Sequence, residues 1–219
     1  MSPIKTTSTP AGGRTYGGMS QAERKQQRRQ QFLQAGLDIF GSDGFRQATV
    51  RGICRAAGLT DRYFYAEFGN IQNLLTAVYE DRMTDIRNQV IQRLAAKQNN
   101  DPQQLIVAAL DAYYSALQDP RVARVCMVEL EGVSPEVDQL YHSYINSFAD
   151  ILLQFMRNIT PQWQYSDSEA SIMTIAMVGA MRQAATYWLR NPQEVTKETL
   201  VRISSRLFMG VFNEISTAG

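Results

Sequence analysis

TVRGICRAAGLTDRYFYAEF, residues 49–68, decides the fold, because it places two short helical segments on either side of a tight turn at Gly58. Cys54 is the small residue in the middle of the first segment, where a second helix can cross closely. Gly58, four residues on, can take the left-handed turn conformation that a side chain resists. Ile53, Leu59, Phe64 and Phe68 supply the apolar contacts that fix the angle between the segments. This is the layout of a helix-turn-helix.

Outward from that stretch, every long periodic segment has the 3.6-residue spacing and no run alternates apolar with polar, so the chain reads as all-α with about nine helices. Ser20 with Glu23 forms a capping box that opens the first helix, which runs to about Gly41 with Phe32, Leu33, Ile39 and Phe40 on one face. Thr49 and Thr60 begin the two short helices. Asn70 can cap a long fourth helix, expected over Ile71 to Lys97, that bridges the N-terminal part to the rest. Asp101-Pro102, Asp119-Pro120 and Ser134-Pro135 each set a capping residue before a proline at the first helical position. The last two long helices are expected over about Ser168 to Arg190, after a Ser166/Glu169 box, and Thr196 to Ile215.

The chain has 219 residues, 44% hydrophobic and 20% charged, which is enough for a substantial core and ordinary for a globular protein. Its longest apolar run, Ile172 to Met181, is far short of a membrane span. Met1 to Gly18 lacks the apolar stretch of a secretory signal and reads as a flexible arm, so the expected location is cytoplasmic. Cys54 and Cys126 fall inside apolar helical patterns and are expected to be reduced, buried thiols. The net charge of +1 hides an asymmetry. Residues 1–80 hold ten Lys and Arg against six Asp and Glu, whereas residues 81–219 hold twelve against fifteen. A basic head on a mildly acidic body suits a polyanion partner for the head alone.

The stretch from Arg28 to Leu75 resembles the DNA-binding domain of the TetR family of bacterial transcription regulators. The matching residues are Phe32-Leu33, Ala35-Gly36, Ile39-Phe40, Gly44-Phe45, Thr49-Val50, Ile53, Ala56-Ala57-Gly58-Leu59-Thr60, Phe64-Tyr65, Phe68 and Leu74-Leu75. The resemblance implies a flexible basic arm over 1–19, a three-helix DNA-binding domain with the helix-turn-helix over 20–69, and a helical bundle over 70–219 for ligand binding and dimerisation. Three positions depart from the pattern. Arg62 stands where many relatives have Gly, Glu67 where many have His, and Ile71 where a Lys often touches phosphate. Glu67 is expected to add a negative charge near the DNA backbone.

A recognition helix presents its N-terminal residues to base edges, so Thr60, Asp61, Arg62 and Tyr63 are the readout candidates. Arg62 leads, since a guanidinium can pair bidentately with guanine. Thr49 and Arg51 at the start of the preceding helix, and the Tyr65 hydroxyl, are placed to hold phosphate. Arg28 and Arg29, beside Arg24 and Lys25, form a second basic patch with Arg14 and Tyr16 of the arm.

The body is rich in bulky, adaptable side chains, among which Tyr113, Tyr144, Met177 and Trp188 are the candidate pocket residues for an unknown small-molecule inducer. Met173, Met177 and Met181 repeat at i, i+4, a stripe that serves a core as well as a pocket. Ala176, Ala180 and Ala184 permit close helix approach, and Leu200, Ile203, Leu207, Phe208 and Val211 offer an apolar face, so the last two helices are the candidate homodimer interface. The expected function is a sequence-specific regulator, by default a repressor, that binds a near-palindromic double-stranded operator as a dimer and is released by a small, largely apolar ligand. The alternative is a ligand-independent DNA-binding or partner-binding dimer.

Catalysis is not expected. His142 is the sole histidine, and His-Glu-x-x-His, Gly-x-Ser-x-Gly and Cys-x-x-Cys are absent. No cofactor, no metal and no membrane partner are expected. With six phosphate contacts per dimer, log K should fall against log salt with a slope of about −5, from roughly −0.9 per phosphate. Binding titrations across a salt series check this, and a slope near zero would remove the electrostatic argument.

Overall fold

A computed structural model of the chain describes residues 19–95, 101–130, 132–160 and 163–217. Among the described residues there are nine α-helices, one short 3-10 turn and no strand. They are α1 Gln21–Ser42, α2 Val50–Ala57, α3 Asp61–Glu67, α4 Ile71–Leu94, α5 Pro102–Ala116, α6 Pro120–Met127, α7 Pro135–Ile159, α8 Asp167–Arg190 and α9 Lys197–Thr217. No helix among them is long and apolar enough to cross a membrane. Arg14, Tyr16 and Lys97 lie outside the described residues.

Local chemistry sets the boundaries. Ser20 and Glu23 make a full capping box, the Glu23 N–H donating to Ser20 Oγ at 3.2 Å and the Ser20 N–H to Glu23 Oε2 at 2.5 Å. Thr49, Asn70, Asp101, Asp119 and Ser134 each accept a hydrogen bond from the first turn of the helix they precede. A second capping box, Ser166 with Glu169, opens α8. Gly58 ends α2 at φ 66°, a left-handed conformation that costs other residues roughly 1–2 kcal/mol.

The head, α1 to α3, closes on Phe32, Ile53, Phe64 and Phe68, with the Phe32 ring edge-on to Phe64 at 5.7 Å and to Phe68 at 5.8 Å. Leu74, Leu75 and Val78, from the first two turns of α4, are fully buried in that same core. The apolar core is thus continuous from head to body. In the body α4 packs on α5, α5 on α9, and α7 on α8. Tyr114 of α5 is buried and shares a hydrogen bond with Ser204 Oγ of α9 at 2.8 Å. Lys197 Nζ adds an ion pair with Asp111 Oδ1 at 2.7 Å. Both cysteines are buried and free, and burial pushes the Cys126 thiol up to about 12 and raises that of Cys54. At neutral pH both are thiols.

Head and body also meet where α6 lies against the C-terminal end of α1. Arg121 of α6 pairs with Asp38 of α1 and with Asp119, both at 2.6 Å. Arg124 Nε pairs with Glu129 Oε1 at 2.7 Å and also reaches the Ser42 carbonyl, while Glu129 Oε2 accepts the Phe45 N–H at 2.8 Å. The two helices approach so closely that a Cβ on Gly41 would lie 2.6 Å from the Arg121 Cα. Gly41→Ala should therefore force the backbones apart, costing about 1–3 kcal/mol by overpacking despite alanine's better helix propensity. Thermal unfolding should show a melting point lower by roughly 2–10 °C. An unchanged or raised melting point would mean that this joint is loose.

Candidate nucleic-acid interface and ligand cavity

The N-terminal ends of α2 and α3 share an exposed surface of the head. Thr49 Oγ1 caps α2 by accepting the Gly52 N–H at 3.1 Å, and Arg51 is exposed in the first turn of that helix. Thr60 precedes α3 without using its hydroxyl as a cap, so that group stays available to a ligand. Asp61 Oδ1 accepts the backbone N–H of Arg62 at 2.9 Å, and the Arg62 side chain is exposed with no ion pair among the described residues. Tyr63 and Tyr65 are both exposed. A shallow hollow between the helices brings together Arg51, Arg55, Cys54, Asp61 and Tyr65.

Arg55 was not among the sequence candidates, although it lies one turn beyond Arg51 on the same face of α2. The patch on α1 divides in two. Arg28 stacks its guanidinium 4.5 Å above the Tyr63 ring, which holds a positive charge beside the recognition helix. Arg29 instead pairs with Glu67 at 3.0 Å and lies over Phe68, and Lys25 adds a second contact to Glu67 at 3.6 Å. Glu67 is therefore not the bare negative charge near the DNA backbone that the sequence suggested. Its two cationic neighbours neutralise it and tie α3 to α1. Ile71, the third departure, packs half-buried against the core.

The body holds two small adjoining cavities. The first has a volume of about 50 Å³ and an almost wholly apolar wall that includes Ile106, Tyr113, Leu152, Phe155, Met181 and Phe208. By the space a water needs, it holds a few methylene-sized groups. The second, about 20 Å³, is lined by Tyr79, Tyr113, Tyr141, Tyr144, Cys126 and Arg182, among others. Of the sequence candidates, Tyr113 lines both cavities and Tyr144 the second, where its hydroxyl shares a hydrogen bond with Thr84 Oγ1 at 2.9 Å. Met177 and Trp188 are buried but line neither. His142 is exposed and stacks edge-on against Tyr141. No group of His, Cys, Asp and Glu suited to a metal occurs among the described residues.

Helices α8 and α9 turn part of their apolar surface outward. Ile203 and Leu207 are 52% and 51% exposed, and Ile172, Ala176 and Tyr187 of α8 are exposed too. Ala180, Ala184 and Val211 are half-buried. Leu200 and Phe208 face inward and are buried within the protomer, so the apolar residues of α9 form two faces rather than one.

Comparison with known proteins agrees with this geometry. Residues 32–78 match the family of bacterial regulatory proteins, tetR family. The chain is 21% identical over 200 residues to the fatty acid metabolism regulator protein of Bacillus subtilis, covering 88% of this chain and 100% of that one. It is 23% identical over 193 residues to the HTH-type transcriptional activator FasR of Mycolicibacterium smegmatis, covering 88% and 84% of the two chains. The solved structure of the regulator FadR from Bacillus subtilis, in complex with stearoyl-CoA, shares the fold with a TM-score of 0.69 at 18% identity, over 81% of this chain and 96% of that one. The match to the tetR family of bacterial regulatory proteins lies over residues 32–78, which span the helix-turn-helix, and most of the chain shares its fold with such a regulator.

Proposed function

We propose that this chain is a sequence-specific transcription repressor that binds a near-palindromic operator as a dimer, in the cytoplasm, and releases it when the body takes up a small, largely apolar ligand. The observation that carries the reading is the exposed N-terminal end of α3. Thr60, Arg62 and Tyr63 stand clear there, with Arg51 and Arg55 of α2 and Arg28 of α1 set around them. A helix so presented enters the major groove, while its cationic flanks engage phosphates and fix the register. Arg29 contributes through Glu67 rather than by touching DNA.

One head contacts only a few base pairs, and a two-fold pair doubles the site. The outward face of Ile172, Ala176, Ile203 and Leu207 supports pairing through α8 and α9, since monomers seldom leave so much bulky apolar surface together. Repression then needs occupancy alone, although the FasR relative is named an activator. The fatty-acid names of two relatives and the stearoyl-CoA of one agree with an aliphatic ligand in the apolar cavity. At about 50 Å³ that cavity must open to admit one. The opening biases the state that DNA does not select.

Genomic-fragment selection on the purified protein at two salt concentrations tests the reading. A shared near-palindromic site is expected, and retention of DNA without any shared site would overturn it. On the selected site, Arg62→Ala should reduce discrimination at one base position per half-site by about 1–3 kcal/mol. Arg51→Ala should weaken all sequences alike. Equal weakening by both would remove Arg62 from base readout.

A further inference from the structure

The phenols inside the body are of two kinds. Tyr114 shares a hydrogen bond with Ser204 Oγ at 2.8 Å, and Tyr144 shares one with Thr84 Oγ1 at 2.9 Å. Tyr79 and Tyr113 are buried to 1% and 3% exposure, and among the described residues neither hydroxyl makes a hydrogen bond. Their rings are held in place, Tyr79 edge-on to Tyr144 at 5.4 Å and Tyr113 edge-on to Phe148 at 6.0 Å. Both line the second cavity, and Tyr113 lines the first as well. Burial holds both phenols well above their ordinary range, and Cys126, Tyr141 and Arg182 of the same cavity wall lie near enough to act on each. The two hydroxyls therefore share one neighbourhood, at the boundary between the cavities. A hydroxyl taken from water and left unpaired destabilises a fold, and phenylalanine would fill the same space without that penalty. Packing alone does not call for two such groups side by side.

From this arrangement we infer that the ligand is an aliphatic chain bearing one uncharged oxygen acceptor, a ketone or ester carbonyl, that takes its hydrogen bonds from the Tyr79 and Tyr113 hydroxyls while the chain lies in the apolar cavity. This rests on the reading of the body as a ligand-binding module and deepens it. At neutral pH both phenols are protonated and can donate, and a carbonyl oxygen has two lone pairs to receive them. Arg182 has no part in the site, since its guanidinium is already engaged. It lies over the Tyr141 ring at 4.8 Å, and its Nη2 donates to the Met127 carbonyl at 3.3 Å. No other charged residue lines either cavity. A carboxylate would thus leave water for a wall without an uncommitted counter-charge, which is costly, whereas a carbonyl asks only for donors.

The two cavities respond together. Tyr113, Phe148, Val178 and Met181 line both, so side chains that part to admit an aliphatic chain into the first also reshape the second. The same movement brings the ligand oxygen to the phenols. A chain without an oxygen fills the apolar cavity and leaves both hydroxyls unpaired.

Thermal unfolding and calorimetry on the full-length protein, with operator release followed by fluorescence anisotropy, test the inference. The probes are 2-octanone, 2-undecanone and 2-pentadecanone, each set against the alkene in which a methylene group replaces the carbonyl oxygen, with decanoate as the charged comparison. Without ligand, Tyr79→Phe and Tyr113→Phe should each raise the melting point by about 2–4 °C, since each removes an unpaired buried hydroxyl. The same substitutions should weaken the ketones by about threefold to tenfold and leave the alkenes unchanged. A tyrosine kept for structure alone would lower the melting point when replaced and would treat ketone and alkene alike. If either variant melts below the parent, if ketone and alkene respond alike, or if decanoate binds more tightly than 2-undecanone, the carbonyl inference is overturned while the ligand-released repressor stands. If no probe of any chain length binds or releases operator, both are overturned.

Discussion

The contact on which everything else depends is the close approach of α6 to the end of α1 at Gly41. The ion pairs there look like the fastening, but Arg121 and Asp38 are 43% and 47% exposed, and a pair so open to water is worth about 0–1 kcal/mol. Backbone proximity is the stronger constraint, because a Cβ on Gly41 has nowhere to go without moving a helix. The ion pairs set which turn of α6 meets which turn of α1. The close packing makes the two move together.

That constraint gives the small α6 its leverage. One side of it, through Arg121 and Arg124, holds the head, and the other, through Cys126 and Met127, walls the second cavity. Protein interiors are close-packed and resist compression, so volume inserted among α5, α7 and α8 is relieved by moving the element with the fewest internal restraints. An eight-residue helix qualifies better than helices three times its length. The continuous core from α1 into the first turns of α4 then carries the displacement onward, since Leu74, Leu75 and Val78 cannot shift without the head.

What was legible in the sequence was what is local. Ser20, Thr49, Asn70, Asp101, Asp119, Ser134 and Ser166 act on amides within three residues of themselves, so helix starts could be read from identity and spacing. Gly58 announced its turn for the same reason. The face that a helix buries is a tertiary matter wherever the helix is apolar most of the way round. In α9, Leu207 and Phe208 are neighbours in sequence yet one is exposed and the other buried, and the apolar pattern alone does not rank them. In α8, Met177 and Met181 belong to one methionine stripe, but of the two the cavity takes only Met181, together with Val178. Charge was harder still. Glu67 looked like a liability beside DNA until Lys25 and Arg29 arrived from another helix.

Reciprocity limits what the joint can do. If ligand weakens operator binding by some factor, operator must weaken ligand binding by the same factor, and the coupling cannot exceed the difference in ligand affinity between the two states of the body. A purely apolar ligand in a cavity that must be opened gains from burial in either state, so its preference rests on the shape of the opened cavity alone. α4, at 24 residues about 36 Å long, is long enough to turn a small displacement in the body into a larger one at the head.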